Sequence, residues 1–180
     1  MIKRGIVVWI TGLSGAGKTT IAQKILKRLD FRKPIHLDGD ELRDILSIKN
    51  TKTFTKNNRN KIGRIYAKLA KYLSDQGHFV IISVMALNKS VFLWNRKNIR
   101  NYFEVYLKVP KNELLKRDPK GIYRKFKMGK VKYISGFDIA YDEPHKPDLI
   151  IKWKKDLTID RISNKIFIKI NEKYPCNSKM

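Results

Sequence analysis

Apolar residues run unbroken at 6–10 ("IVVWI") and, with a single serine, at 79–87 ("FVIISVMAL"). Continuous short runs of this kind predict strands buried on both faces. The first predicts a strand over 5–11 and the second a strand over 78–87. Between them the pattern changes period. Apolar positions at 21, 22, 25, 26 and 29 predict a helix over 19–29. "PIHLDGD" (34–40) predicts a short strand ending at its loop, and "ELRDIL" opens a helix. "SIKNTKTFTKNN" (47–58) is polar and aperiodic, which predicts a loop, and 59–77 is a long amphipathic helix stopped by Gly77. Further on the pattern predicts a helix from 89 to 102, a strand over 103–109, a short helix over 110–118, a strand over 148–153 and a closing helix over 158–174. Residues 117–147 are basic, rich in turn formers and weakly periodic.

Strands alternating with helices predict an α/β fold, with a parallel sheet covered by helices on both faces. At 180 residues with no internal repeat, the expectation is one domain over 1–180. In such sheets ligands gather beyond the carboxyl ends of the strands. Three segments fall there: "GLSGAGKTT", "DGD" and "SVMALN".

The first carries chemistry. Gly12, Gly17, Lys18 and Thr19 fit G-x-x-x-x-G-K-[ST], between a predicted strand and a predicted helix. Ser14, Gly15 and Ala16 complete the loop. Glycines let main-chain N–H groups wrap phosphates, and the following helix adds the positive end of its dipole. Lys18 then reaches the β- and γ-phosphates, and the Thr19 hydroxyl ligates Mg²⁺. Thr20 lies outside the minimal pattern, where it caps or packs, and is grouped with the phosphate-binding residues. No N-K-x-D element stands where a guanine-specific loop needs one, so a small-molecule kinase using ATP fits better than a GTP switch.

Phosphoryl transfer asks little covalent chemistry of a protein. It needs a metal, positioned cations and a group to accept the acceptor's proton. Asp38 and Asp40, two apart around Gly39, can divide that work: one near the metal or its waters, one near the hydroxyl. Arg43 lies within a helical turn of Asp40 and could clamp an anionic acceptor. Taken alone, the same residues read as an Asx turn with a helix cap at Asp40.

Charge and composition adjust the picture only at its edges. The chain holds 40 Lys+Arg against 16 Asp+Glu, net +24. The lysines are spread along the chain, whereas a nucleic-acid footprint is concentrated, so compositional bias explains them better. One cysteine, Cys176, excludes an internal disulfide. No run is long enough to span a bilayer and the N-terminus has no apolar signal region, so a cytoplasmic protein is expected. His36, His78 and His145 are too scattered for a metal-ligand pattern, and Trp9 is expected in the core; Trp94 reads as core or interface.

"VVWITGLSGAGKTT", "LDGDELR" and "RDPKGIYRKFKMGKVKYISGFDIAYDEP", in that order, resemble the adenylylsulfate (APS) kinases over about residues 5–150. The resemblance implies a P-loop kinase fold and transfer of the γ-phosphate of ATP, with Mg²⁺, to the ribose 3′-hydroxyl of adenylylsulfate, giving PAPS. It makes Asp38 and Asp40 active-site aspartates, with Asp40 the base. It also makes Arg43 and Arg59 acceptor-binding arginines and Phe54 an aromatic that stacks on the acceptor base. Residues 117–136 become a mobile lid, within a wider basic segment reaching 147, where Arg117 and Lys120 face phosphates and Gly121 gives flexibility. Many members are dimers, which suggests a homodimer. A lid suits the chemistry, because a kinase that admits water hydrolyses ATP.

The acceptor half departs from that family. "F-I-S-P" after the central strand is here "SVMALN", which puts Met85, Ala86 and Leu87 at the acceptor. "D-R-x-E-N-I-R-R" is here "NRNKIGRI", with Ile62 in place of an acceptor-holding asparagine, or Asn60 serving if the register slips. "KYISGF" has Ile134 where an aromatic closes a sandwich on adenine. Stacking is worth roughly 1–3 kcal/mol per base, so losing one wall can change preference. The acceptor is therefore adenylylsulfate or, as in the family's cytidine diphosphoramidate kinase offshoot from capsular-polysaccharide modification, a pyrimidine nucleotide. Two other classes stay open: a kinase of nucleic-acid ends, which a closing lid argues against, and a basic binding module with a vestigial loop, which intact Lys18, Thr19, Asp38 and Asp40 argue against.

Overall fold

The computed structural model describes residues 5–29, 33–48 and 55–175; Phe54 and Cys176 lie outside them. Five strands form one sheet: β1 (Val7–Thr11), β2 (Ile35–Asp38), β3 (Val80–Val84), β4 (Tyr102–Lys108) and β5 (Leu149–Lys152), in the order β2-β3-β1-β4-β5. Every pairing is parallel. Helices fill the crossovers, α1 (Lys18–Arg28), α2 (Gly39–Ile45), α3 (Lys56–Asp75), α4 (Lys89–Asn98), α5 (Lys111–Arg117) and α6 (Ile122–Lys127), and α7 (Ile159–Lys173) follows β5.

The central strand explains its own sequence. All five residues of β1 are buried because helices cover both faces. Val8 and Ile10 point into a core with Ile21, Ile25, Ile166 and Ile170 of α1 and α7. Val7 and Trp9 point the other way, into a core with Leu42, Tyr66, Ala67, Ala70 and Val91 of α2, α3 and α4. Full burial of each such aliphatic side chain is worth about 1.5–3 kcal/mol. Trp9 is fully buried, as expected, and Trp94 packs at the edge of the second core under the Arg64 guanidinium, 5.5 Å from its ring centroid.

A polar cluster closes the sheet at the start of β4. Glu104 is almost fully buried; it accepts from the Tyr102 hydroxyl at 2.8 Å and from Arg96 at 2.9 Å. Asp148 accepts from the Glu104 amide at 2.8 Å and from Lys173 at 2.6 Å. Burial pushes the Glu104 carboxyl up, against the Tyr102 hydroxyl and the Arg96 charge.

Several sequence expectations need correction. The helix expected over 89–102 stops at Asn98, and the chain is extended again by Tyr102, where β4 begins beside β1. The second strand stops at Asp38 rather than running to 40, because the Asp38 carboxylate caps α2, accepting from the Asp40 amide at 2.8 Å. The cap is thus Asp38 and not Asp40. The long helix begins at Lys56, ahead of the expected 59, because Thr55 caps it through its hydroxyl. The weakly periodic 117–147 stretch contains a helix, α6, whose first amides at Tyr123 and Arg124 donate to Asp118 at 3.1 and 2.9 Å. Among the described residues no helix is long and apolar enough to cross a membrane.

Candidate active site

β1 ends at Thr11, and the chain turns through 12–17 into α1. Gly15 and Gly17 are left-handed (φ 75° and 91°), a conformation that glycine adopts without steric cost. Gly12 is required for a different reason: a Cβ there would lie 2.8 Å from the Leu107 carbonyl of β4. Lys18 curls back over the loop and donates to the Leu13 carbonyl at 2.9 Å. Burial pushes its ammonium down to about 8; Asp38 opposes the shift and Arg43 adds to it. A lysine so poised gains most from an arriving phosphate.

The end of β2 delivers Asp38 beside that loop. Its Oδ2 accepts from the Thr19 hydroxyl at 2.7 Å and from the Ser83 hydroxyl at 2.8 Å, while Oδ1 caps α2. Both oxygens are therefore engaged. Asp40, one step on, faces open space and pairs with Arg43 and with Lys120 of the 117–136 segment.

These residues line a cavity of about 480 Å³. Its walls carry six basic side chains (Lys18, Arg43, Arg59, Arg117, Lys120, Lys132) and two acidic ones (Asp38, Asp40). Cations converging on a cleft focus positive potential there, which suits polyphosphate. Burial and the nearby Arg43 lower Arg59 to about 10, with Asp138 opposing.

Most of the expected residues come together: Ser14, Gly15, Gly17, Lys18, Thr19, Thr20, Asp38, Asp40, Arg43, Arg59, Met85, Arg117, Lys120 and Ile134 all line this cavity. Gly12 and Ala16 stay behind it, Ala16 buried in the core under the loop. Gly121 opens α6 in a left-handed conformation. Ala86 and Leu87 do not reach the cavity. Past Met85 the chain bends toward the Asn88 cap of α4, so both are buried and wall a side pocket of about 20 Å³. Asn60 lines the same side pocket, and its Oδ1 is buried without a partner among the described residues; Ile62 instead packs on the core.

Four residues escaped the sequence reading. Ser83 holds Asp38. Tyr123 of α6 donates to the Ser14 carbonyl at 2.8 Å, tying the 117–136 segment to the glycine-rich loop. Ile159, at the start of α7, closes one side of the cavity. Tyr133 lines it next to Ile134, with a left-handed backbone (φ 65°) held by Asp138, which accepts its amide at 2.6 Å, and by Arg59, which donates to its carbonyl at 2.6 Å. Ser83 opens the "SVMALN" segment already placed at a strand end, and Tyr123 and Tyr133 are aromatics inside the basic segment; Ile159 carried no signal.

The family model for adenylylsulphate kinase matches residues 4–152. The chain is 38% identical over 147 residues to the cytidine diphosphoramidate kinase of Campylobacter jejuni, covering 81% of this chain and 84% of that protein. It is 38% identical over 148 residues to the probable adenylyl-sulfate kinase of Pyrococcus abyssi, covering 81% and 83%. Among solved structures it is similar to the APS kinase of Mycobacterium tuberculosis in complex with AMPPNP and APS: TM-score 0.84, 31% identity, 94% of this chain and 99% of that one.

Proposed function

Because the chain belongs to the adenylylsulphate kinase family of P-loop kinases, we propose that it transfers the γ-phosphate of ATP to the ribose 3′-hydroxyl of an activated nucleotide, and that this acceptor is cytidine diphosphoramidate in preference to adenylylsulfate. The observation that carries the choice is Ile134, buried in the cavity wall at the position where the resemblance puts an aromatic.

The phosphate loop and Lys18 hold the β- and γ-phosphates. Among the described residues no group of three His, Cys, Asp or Glu side chains could cage a metal. That fits Mg²⁺, which keeps waters and takes one or two protein ligands plus phosphate oxygens. Thr19 would hold it directly and Asp38 through Thr19 or water. Bound Mg²⁺ offsets charge on the β- and γ-phosphates.

Asp38 has both oxygens committed, so it serves as a fixed support. Asp40 faces the cavity and is the base. It takes the proton as the acceptor oxygen bonds to the γ-phosphorus and the bond to the β-phosphate oxygen breaks, releasing ADP. Arg43 and Arg59 hold the acceptor's own phosphates. Lys120 and Arg117 bring lid charge onto the nucleotides, and the Tyr123–Ser14 hydrogen bond draws the lid onto the loop. Ile134, Tyr133 and Met85 wall the acceptor base.

The test is an acceptor panel. ADP release with Mg²⁺–ATP is followed for cytidine diphosphoramidate, adenylylsulfate, plain nucleotides and an oligonucleotide. The cytidine compound should lead adenylylsulfate by about tenfold or more in kcat/KM, the scale of one lost stacking wall. A preference for adenylylsulfate would make Ile134 a tolerated replacement and the chain a sulfate-activation enzyme. Turnover confined to the oligonucleotide would reject a nucleotide acceptor.

A further inference from the structure

His36 is a titratable side chain that the proposed reaction leaves unused, and it stands at the end of an unbroken hydrogen-bond chain into the phosphate site. The pairing of β2 with β3 sets Asp38 opposite Ser83 and His36 opposite Ile81. Residues two apart on a strand share a face. His36, Asp38 and Ser83 therefore lie on the α1 side of the sheet, below the first turn of α1, which carries Thr19. His36 Nε2 is 3.0 Å from Ser83 Oγ, Ser83 Oγ is 2.8 Å from Asp38 Oδ2, and Thr19 Oγ1 is 2.7 Å from the same oxygen.

The donor directions follow from what each group can do. An ionised carboxylate only accepts. Thr19 and Ser83 must both donate to Asp38, which uses the single proton of each hydroxyl. Ser83 oxygen is then left to accept, so the proton between it and the imidazole belongs to His36. Were Nε2 bare, the Ser83 proton would turn toward the imidazole and Asp38 would lose one of its two hydroxyl donors. The tautomer of a histidine on an edge strand thus decides how firmly Asp38 is held. Asp38 in turn decides where the Thr19 proton points, and so leaves the Thr19 lone pairs facing the cavity.

We propose that His36 is a positioning residue for the phosphate site: its Nε2–H, acting through the Ser83 hydroxyl, fixes the Asp38 carboxylate and thereby aims Thr19 at the metal of a bound Mg²⁺–nucleotide. This rests on the reading of the loop as a Mg²⁺–ATP site and is independent of the acceptor. Outer partners of metal-holding groups typically alter metal affinity by 10–100-fold when removed.

Two measurements test it without turnover. In the wild-type protein, ¹⁵N-labelled histidine spectra should show a proton on His36 Nε2; a ring protonated on Nδ1 alone overturns the proposal, and this needs no variant to fold. Calorimetry then gives ADP affinity with and without Mg²⁺. The ratio of the two should fall about tenfold in His36→Leu and Ser83→Ala. His36→Gln, whose amide N–H can reach the same oxygen, should keep it. An unchanged ratio in His36→Leu overturns the proposal. Because no acceptor is present, failure of the acceptor reading leaves these outcomes untouched.

Discussion

Replacing Lys18 by methionine should make the protein more stable while abolishing turnover. Lys18 is held at about 8 against an ordinary 10.5, chiefly because its ammonium is buried. At about 1.36 kcal/mol per pKa unit, that gap amounts to ~3 kcal/mol charged against the folded state at neutral pH. Part of the side chain meets solvent, which screens the charge, and methionine forfeits the hydrogen bond to the Leu13 carbonyl. Roughly half survives, so the variant should gain ~1–2 kcal/mol, or about 3–6 °C in Tm for a domain of this size. The sign fixes the pH dependence. Below about pH 8 the wild-type lysine is charged in both states and the penalty is full. Between about 8 and 10.5 the folded state loses its proton while the unfolded state keeps it, and the penalty fades. Thermal unfolding of both proteins at pH 7, 9 and 10.5 is the assay. The Tm gap should be widest at pH 7 and nearly closed at 10.5. A variant no more stable than wild type at pH 7, or a gap indifferent to pH, would refute the reasoning.

Asp40→Asn should lower kcat by roughly 10²-fold or more while moving the KM for ATP far less, as loss of a general base does; steady-state kinetics with the preferred acceptor decide it, and near-normal kcat would remove Asp40 from the base role. Ile134→Phe restores a ring to the acceptor wall and should shift the kcat/KM ratio toward adenylylsulfate by about tenfold; an unchanged ratio would place specificity elsewhere. Arg96→Met strips the guanidinium from buried Glu104. Breaking a buried pair costs about 3–5 kcal/mol, reduced to ~2 here because Arg96 is one-third exposed; urea unfolding should show that loss, and turnover at 25 °C should persist.

Most of the frame was legible in the chain. β1 and β3 are apolar on both faces because helices cover both, and that leaves a run with no alternation to misread. The phosphate loop was legible because its glycines answer local backbone demands. What stayed hidden depended on partners distant in sequence. Asp38 and Asp40 look interchangeable in "DGD". Only the register that places Ser83 opposite Asp38 shows which carboxylate is committed. His36 showed no pattern in the sequence because nothing local links it to residue 83. Helix α6, at six residues, is too short for a period to declare itself, although Asp118 and Gly121 in "RDPKG" carry its capping signal.

The same distinction explains how an acceptor could change while the donor site does not. Triphosphate is gripped mainly by main-chain amides of one contiguous loop, so the motif survives or fails as a unit. The proposed acceptor wall is assembled from separate segments: Arg59 on α3, Met85 after β3, and Tyr133 with Ile134 in the 117–136 segment. A left-handed tyrosine costs on the order of 1–2 kcal/mol. The Tyr133 backbone is kept there by groups outside the wall: Asp138 takes its amide and Arg59 its carbonyl. That clip lets Tyr133 and Ile134, though adjacent, both face the cavity. Residues at 133 and 134 can then be exchanged without moving the loop that presents them. If Arg59 binds the acceptor as proposed, an acceptor anion that draws its guanidinium away weakens one anchor of Tyr133. On the proposed reading, acceptor binding and the conformation of the 117–136 segment would be coupled at that one side chain.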